Sequence, residues 1–104
     1  MSDKILRKFF LGFINIHILH HASKESLYGL WMIDELKHHG YNLSPGTLYP
    51  ILHTLEKDGL LFSEDRLVEG KIRKYYSITE QGRVVLKEAQ CKAQELFKEM
   101  KQET

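Results

Sequence analysis

The side chains that could do chemistry in this chain are its histidines, its lone cysteine and a run of lysines and arginines in its second half. His17 and His21 stand at i and i+4, the spacing that sets two imidazoles on one helix face where they can share a metal ion, with His20 beside them. No cysteine follows at a matching spacing. His38-His39 reads instead as a helix C-terminus, where positive charge is favoured. The sequence therefore predicts no metal site and no cofactor. Cys91 has no second cysteine to pair with and reads as a small residue on a helix, which fits a reduced compartment. A phosphate-binding glycine loop, a metalloprotease HExxH and an evident nucleophile with its base are all missing from the sequence, so no enzymatic activity is expected.

The basic residues carry more. Across the chain, 15 lysines and arginines nearly balance 14 acidic residues, which by itself argues against a nucleic-acid partner. The distribution argues the other way. From Arg66 to Lys87 there are Arg66, Lys71, Arg73, Lys74, Arg83 and Lys87 against only Glu69 and Glu80. A local surplus of this kind is what phosphate contacts require.

The elements that must position these groups follow from hydrophobic spacing and punctuation. A first helix from Lys4 to about His21 carries Ile5, Leu6, Phe9, Phe10, Phe13, Ile14, Ile16 and Leu19, with Leu11 and Ile18 on the remaining side. That is wider than one core-facing stripe and predicts cover from a second subunit. Its most apolar run, Phe9 to Leu19, is interrupted by Gly12, Asn15 and His17 and is about half the roughly 20 residues a bilayer needs, so no membrane span is expected. The start, Met1-Ser2-Asp3-Lys4, has no leader pattern, and a cytoplasmic location is the expectation. A second helix, Leu27 to His39, places Leu30, Ile33 and Leu36 on one side, flanked by Trp31 and Met32, and stops at Gly40. Trp31 reads first as packing, in the core or at a subunit contact, with a ligand-stacking role as the alternative.

A third helix opens at Ser44-Pro45-Gly46-Thr47 and closes at Asp58-Gly59, with Leu48, Ile51, Leu52 and Leu55 inward and Thr47, Tyr49, Pro50, His53, Thr54 and Lys57 outward. Pro50 costs a backbone bond there, less if the helix starts at Gly46 or Thr47. Two strands around Glu69-Gly70 form a hairpin in which Ile72, Tyr76 and Ile78 share the packed face and Arg73, Tyr75 and Ser77 the other. Thr79 then begins a last helix to about Lys101, whose Leu86, Ala89, Ala93, Leu96 and Met100 form a seam of about two heptads. So short a seam needs an apolar partner, and the first helix is the obvious one. The fold class is mainly α with a small two-stranded antiparallel hairpin: a winged helix-turn-helix over residues 1–79 and a dimerisation helix over 80–104, in one compact domain.

Tyr28-Gly29, Ser44-Pro45-Gly46-Thr47-Leu48-Tyr49-Pro50, Leu52, Leu55-Glu56-Lys57-Asp58-Gly59-Leu60 and Arg73-Lys74-Tyr75-Tyr76-Ser77-Ile78-Thr79-Glu80-Gln81-Gly82 occur in the order and context of one family. The chain resembles the PadR transcriptional regulators from Leu6 to about Gly82, and its single last helix is similar to the short-tailed subgroup. The resemblance implies a homodimeric repressor on an inverted-repeat operator in double-stranded DNA, released by a small molecule or stress signal. It also implies that the last helix crosses the partner's first helix, with Phe9, Phe13, Leu86, Ala89, Ala93, Leu96, Phe97 and Met100 in the interface.

Carried over by motif, Thr47, Tyr49 and Pro50 belong to the groove-entering end of the third helix, Lys71, Arg73 and Lys74 to the wing, and Tyr28 to a phosphate contact. Ser44 and His53 complete the candidate DNA surface. The wing is short and carries Glu69 beside its tip, which argues against tight minor-groove insertion. Phe97, Leu96, Met100 and the first-helix phenylalanines either fill the dimer interface or line a chamber between the crossed helices for a small hydrophobic or aromatic effector. The alternatives are a winged helix used for protein contact, or a ligand- or metal-sensing dimer without strong sequence-specific DNA binding.

Overall fold

A computed structural model describes residues 2–102, so Met1, Glu103 and Thr104, which the two expected segments include, lie outside the described residues. The chain runs α1 (Ser2–Lys24), β1 (Leu27–Tyr28), α2 (Gly29–His38), α3 (Pro45–Lys57), β2 (Leu61–Val68), β3 (Lys71–Ile78) and α4 (Glu80–Gln102). The expected order of helices and hairpin is present. The sheet has three strands rather than two, in the order β1-β3-β2, because Leu27 and Tyr28 pair antiparallel with Tyr76 and Tyr75 instead of opening α2.

The core is built where α1, α2, α3 and the sheet meet. Ile14, Ile18, Leu19 and Ala22 of α1 pack with Met32 and Leu36 of α2, Leu48, Leu52 and Leu55 of α3, and Leu27, Leu61, Tyr76 and Ile78 of the sheet. Two expectations fail at its edge. Leu30 is exposed, because α2 begins at Gly29 and turns Gly29, Met32 and Leu36 inward. Ile72 shares the parity of Tyr76 and Ile78, yet it too is exposed, because the hairpin tip projects past the core.

Helix ends set the angles. Both α2 and α3 close in the Schellman pattern. Gly40, at φ +89°, donates to Lys37 while Tyr41 donates to Leu36; Gly59, at φ +79°, donates to Glu56 while Leu60 donates to Leu55. Ser44 is the N-cap of α3 by its backbone, but its hydroxyl makes no cap bond and meets the Thr47 hydroxyl at 3.3 Å. With Pro45 opening the helix, Pro50 does lie beyond the first turn. Thr79 caps α4 more fully: its hydroxyl accepts from the Gly82 N–H at 2.9 Å and donates to the Gly59 carbonyl at 2.6 Å. Gly82 is required there, since a Cβ would run into the Leu60 carbonyl.

Beyond Ala89 every described residue of the last helix is exposed. Val85 and Leu86 pack on the core, whereas Ala93, Leu96, Phe97 and Met100 are exposed. The Cα radius of gyration, 15.2 Å, exceeds the roughly 13 Å of a compact chain of this length, and the longest dimension is 55 Å. No helix among the described residues is long and apolar enough to cross a membrane.

Candidate nucleic-acid interface

Two neighbouring surfaces bring together most of the basic and polar residues singled out from the sequence. The first is the outward side of α3. Leu48, Leu52 and Leu55 fall at i, i+4 and i+7 and anchor one side of the helix in the core, which leaves Thr47, Pro50, His53, Thr54 and Lys57 exposed on the other. Ser44 is exposed at the entrance of the helix. Tyr49, expected on the same outward side, is half-buried, and its ring lies so close to Gly29 that a Cβ there would overlap it. Gly29 and Tyr49 thus seat α3 against the start of α2.

The second surface is the hairpin. Its register pairs Arg66 with Arg73, Glu64 with Tyr75, Asp65 with Lys74 and Val68 with Lys71. Because side chains alternate along a strand, Lys71, Arg73 and Tyr75 share one face with Arg66 and, across β1, with Tyr28. Lys74 shares the opposite face with Ile72 and Asp65. The wing basic residues therefore do not form one cluster.

On the first face the charges are stacked on rings. The Arg73 guanidinium lies 4.6 Å from the Tyr28 ring centre and that of Arg66 4.4 Å from the Tyr75 ring centre, with the two tyrosines 5.3 Å apart. Such cation–π contacts hold a long side chain in one orientation while leaving its charge available. Arg73 Nε has no hydrogen-bond partner among the described residues. Arg66, which was absent from the candidate set, is partly spoken for: Glu64 Oε1 accepts from its Nη2 at 2.6 Å and from its Nε at 3.0 Å, and Ser26 Oγ accepts at 3.2 Å. At this exposure the ion pair contributes little to stability, but it offsets part of the local positive charge.

The turn between the strands consists of Glu69 and Gly70, both at positive φ, +52° and +79°. That is the two-residue geometry whose twist matches a hairpin, and Asn-Gly or Asp-Gly fills it with less strain than Glu-Gly. Glu69 therefore costs backbone energy and puts a negative charge at the wing tip.

A second constellation lies elsewhere, between α1 and α2. His17 and His21 are joined by His39, the C-cap of α2, with one nitrogen of each within 4.8 Å of the others. Glu35 Oε2 lies 3.1 Å from His39 Nε2 and 3.4 Å from His21 Nε2. Trp31 meets His21 edge-on at 5.5 Å and Tyr41 meets His17 at 5.8 Å. Burial lowers the pKa of both His17 and His21, with His39, His21 and His20 adding to the effect at His17 and Glu35 opposing it at both. The sequence showed the α1 pair and no cysteine at a matching spacing. The third and fourth groups come from another helix, at an i, i+4 spacing of their own.

Comparison with known proteins places this arrangement. The profile of the transcriptional regulator PadR-like family matches residues 18–88. A transcriptional regulator of Mycobacterium tuberculosis, Rv3488, is 47% identical over 95 residues, which span 91% of this chain and 89% of that protein. The crystal structure of a PadR family regulator from Eggerthella lenta superposes with a TM-score of 0.75 at 31% identity, covering 95% of this chain and 91% of that one. A PadR-like regulator from Bacillus cereus gives a TM-score of 0.82 at 28% identity, covering 89% and 92% of the two chains.

Proposed function

Since the chain belongs to the PadR-like family of transcriptional regulators, we propose that it is a cytoplasmic repressor that binds an inverted-repeat operator in double-stranded DNA as a homodimer. The observation that carries this reading is the outward face of α3, where Thr47, Pro50, His53, Thr54 and Lys57 are exposed on a helix that packs against β2 of the hairpin carrying Lys71 and Arg73. A helix anchored on one side and bare on the other is what enters a major groove, and a basic hairpin beside it meets the backbone. Thr47, Pro50 and His53 read base edges from α3, with Ser44 at its entrance. Lys71, Arg73 and Lys74 contact phosphates. Tyr28 acts through the ring on which Arg73 rests, and Tyr49 through its seat against Gly29.

The apolar faces that the chain leaves uncovered support the dimer. Phe9 and Phe13 on α1 and Leu96, Phe97 and Met100 on α4 are all exposed, and clustered bare apolar side chains of this kind mark interaction surfaces. Crossing each α4 over the partner's α1 covers both, with Leu86, Ala89 and Ala93 continuing the seam. Residues 1–79 then serve DNA and 80–104 dimerisation, α1 belonging to both. A small hydrophobic or aromatic effector entering between the crossed helices releases the operator.

The test is titration of a labelled duplex from upstream of the gene across a salt series, with unrelated DNA as competitor. If each subunit neutralises about three or four phosphates, the log–log salt slope is about −5 to −7 for the dimer. Arg73→Ala lowers that slope by about two, one contact per subunit, and weakens all sequences alike. Binding no tighter than to competitor DNA would refute the operator reading and move the basic wing to an acidic protein partner.

A further inference from the structure

We propose that His17, His21 and His39, together with the Glu35 carboxylate, bind one divalent transition-metal ion of the zinc class and thereby join α1 to α2. Each helix supplies an i, i+4 pair, His17 with His21 and Glu35 with His39, and the fold lays one pair against the other. The nitrogens of His21 and His39 converge on a single oxygen of Glu35, at 3.4 Å and 3.1 Å. Ligands about 2.0–2.2 Å from a tetrahedral zinc ion are about 3.3 Å from one another, so these separations already have the size of a coordination tetrahedron. His17, within 4.8 Å of the other two, closes the set by a small ring movement.

Ring packing alone does not account for this convergence. Stacked imidazoles need only their faces in contact, whereas here His39 Nε2 is hydrogen-bonded to Glu35 Oε2 and His21 Nε2 lies 3.4 Å from the same oxygen. Three neutral imidazoles and a carboxylate favour zinc, nickel, cobalt or copper over magnesium and calcium, which take oxygen ligands, and the group contains no thiolate to select softer ions. The position matters to the rest of the fold. His39 is followed directly by the Gly40-Tyr41 turn that leads to α3, so an ion here ties the apolar helix α1 to the connection that orients the outward face of α3.

Metal binding does not depend on the DNA reading; any effect of the metal on an operator does. The test uses the full chain without an affinity tag, stripped with chelator, dialysed, and then equilibrated with zinc or with cobalt as its coloured counterpart. The expected result is one ion retained per chain, a visible cobalt absorption, and quenching by cobalt of Trp31, the single tryptophan in the chain. His39→Gln and His17→Gln each weaken binding at least 100-fold, Glu35→Gln weakens it about tenfold, and His38→Gln, at an exposed position outside the group, leaves it unchanged. Circular dichroism of the metal-free variants confirms that the exposed His39 position was changed without unfolding the chain. Substoichiometric uptake, or equal affinity in the His17→Gln and His39→Gln variants, would overturn the site. Running the same samples against DNA separates the two readings. Protein that takes up metal but binds no operator refutes only the DNA reading, and protein that binds an operator but no metal refutes only the site.

Discussion

The two ends of α1 are equally apolar and meet opposite fates. Toward its C-terminus Ile14, Ile18, Leu19 and Ala22 are buried among α2, α3 and the sheet, while toward its N-terminus Ile5, Leu6, Phe9, Phe10 and Phe13 are exposed, Ile5 to 72%. The last helix repeats the division in reverse, seated at Gly82, Val85 and Leu86 and bare at Leu96, Phe97 and Met100. The difference shows that one continuous helix can finish a core within the chain and, a few turns away, leave large apolar side chains bare. The winged core is complete by itself, and the exposed ends of α1 and α4 are the surfaces that the proposed dimer covers.

Mutations sharpen the contrast. Leu52, fully buried in α3, belongs to the complete part, and Leu52→Ala should cost about 2–5 kcal/mol, read as a lower midpoint in thermal or denaturant unfolding. Replacing both Phe9 and Phe13 with Glu attacks the incomplete part. Association should weaken by roughly 100-fold or more, seen in sedimentation, as expected for central aromatic anchors. The secondary structure of the monomer should persist, because these rings touch little of their own core. Equal loss of fold in the two experiments would erase the distinction.

Smaller effects test the joint between the regions. Thr79→Ala removes the hydroxyl that caps α4 and holds it to the turn after α3, and should cost about 1 kcal/mol in unfolding. At the wing tip Glu69→Asn gives the turn a residue suited to positive φ and removes a negative charge. It should raise stability by roughly a few tenths of a kcal/mol and strengthen DNA binding modestly, both opposite in sign to the other changes.

Much of the fold was legible because local rules decide it. Gly40 and Gly59 end their helices in the left-handed conformation that the sequence suggested, and the parity of β3 followed from its alternation. What was not legible depends on depth and on distant partners. Parity assigns Ile72 to the packed face, but only the reach of the core decides that the strand has already passed beyond it. Leu27 and Tyr28 became a strand because Tyr75 and Tyr76, far along the chain, offer them an edge. Of the candidate DNA surface, the outward side of α3 was readable apart from Tyr49. The division of the wing, with Arg73 on the Tyr28 side and Lys74 on the other, needed the register. The histidine group was half visible, since spacing within one helix cannot reveal a pair supplied by another.

Under the proposed function α3 and the wing bind DNA, while the bare stretches of α1 and α4 bind a second copy. Light-scattering molar masses of the protein alone and with its upstream duplex test it most directly. The expected results are a dimer in isolation, two chains per duplex in the complex, a dimer without DNA uptake at moderate salt for the Lys71→Ala, Arg73→Ala pair, and loss of both dimer and complex for the Phe9→Glu, Phe13→Glu pair. A monomer that binds the duplex as tightly as the dimer, or phenylalanine variants that keep full DNA binding, would contradict it.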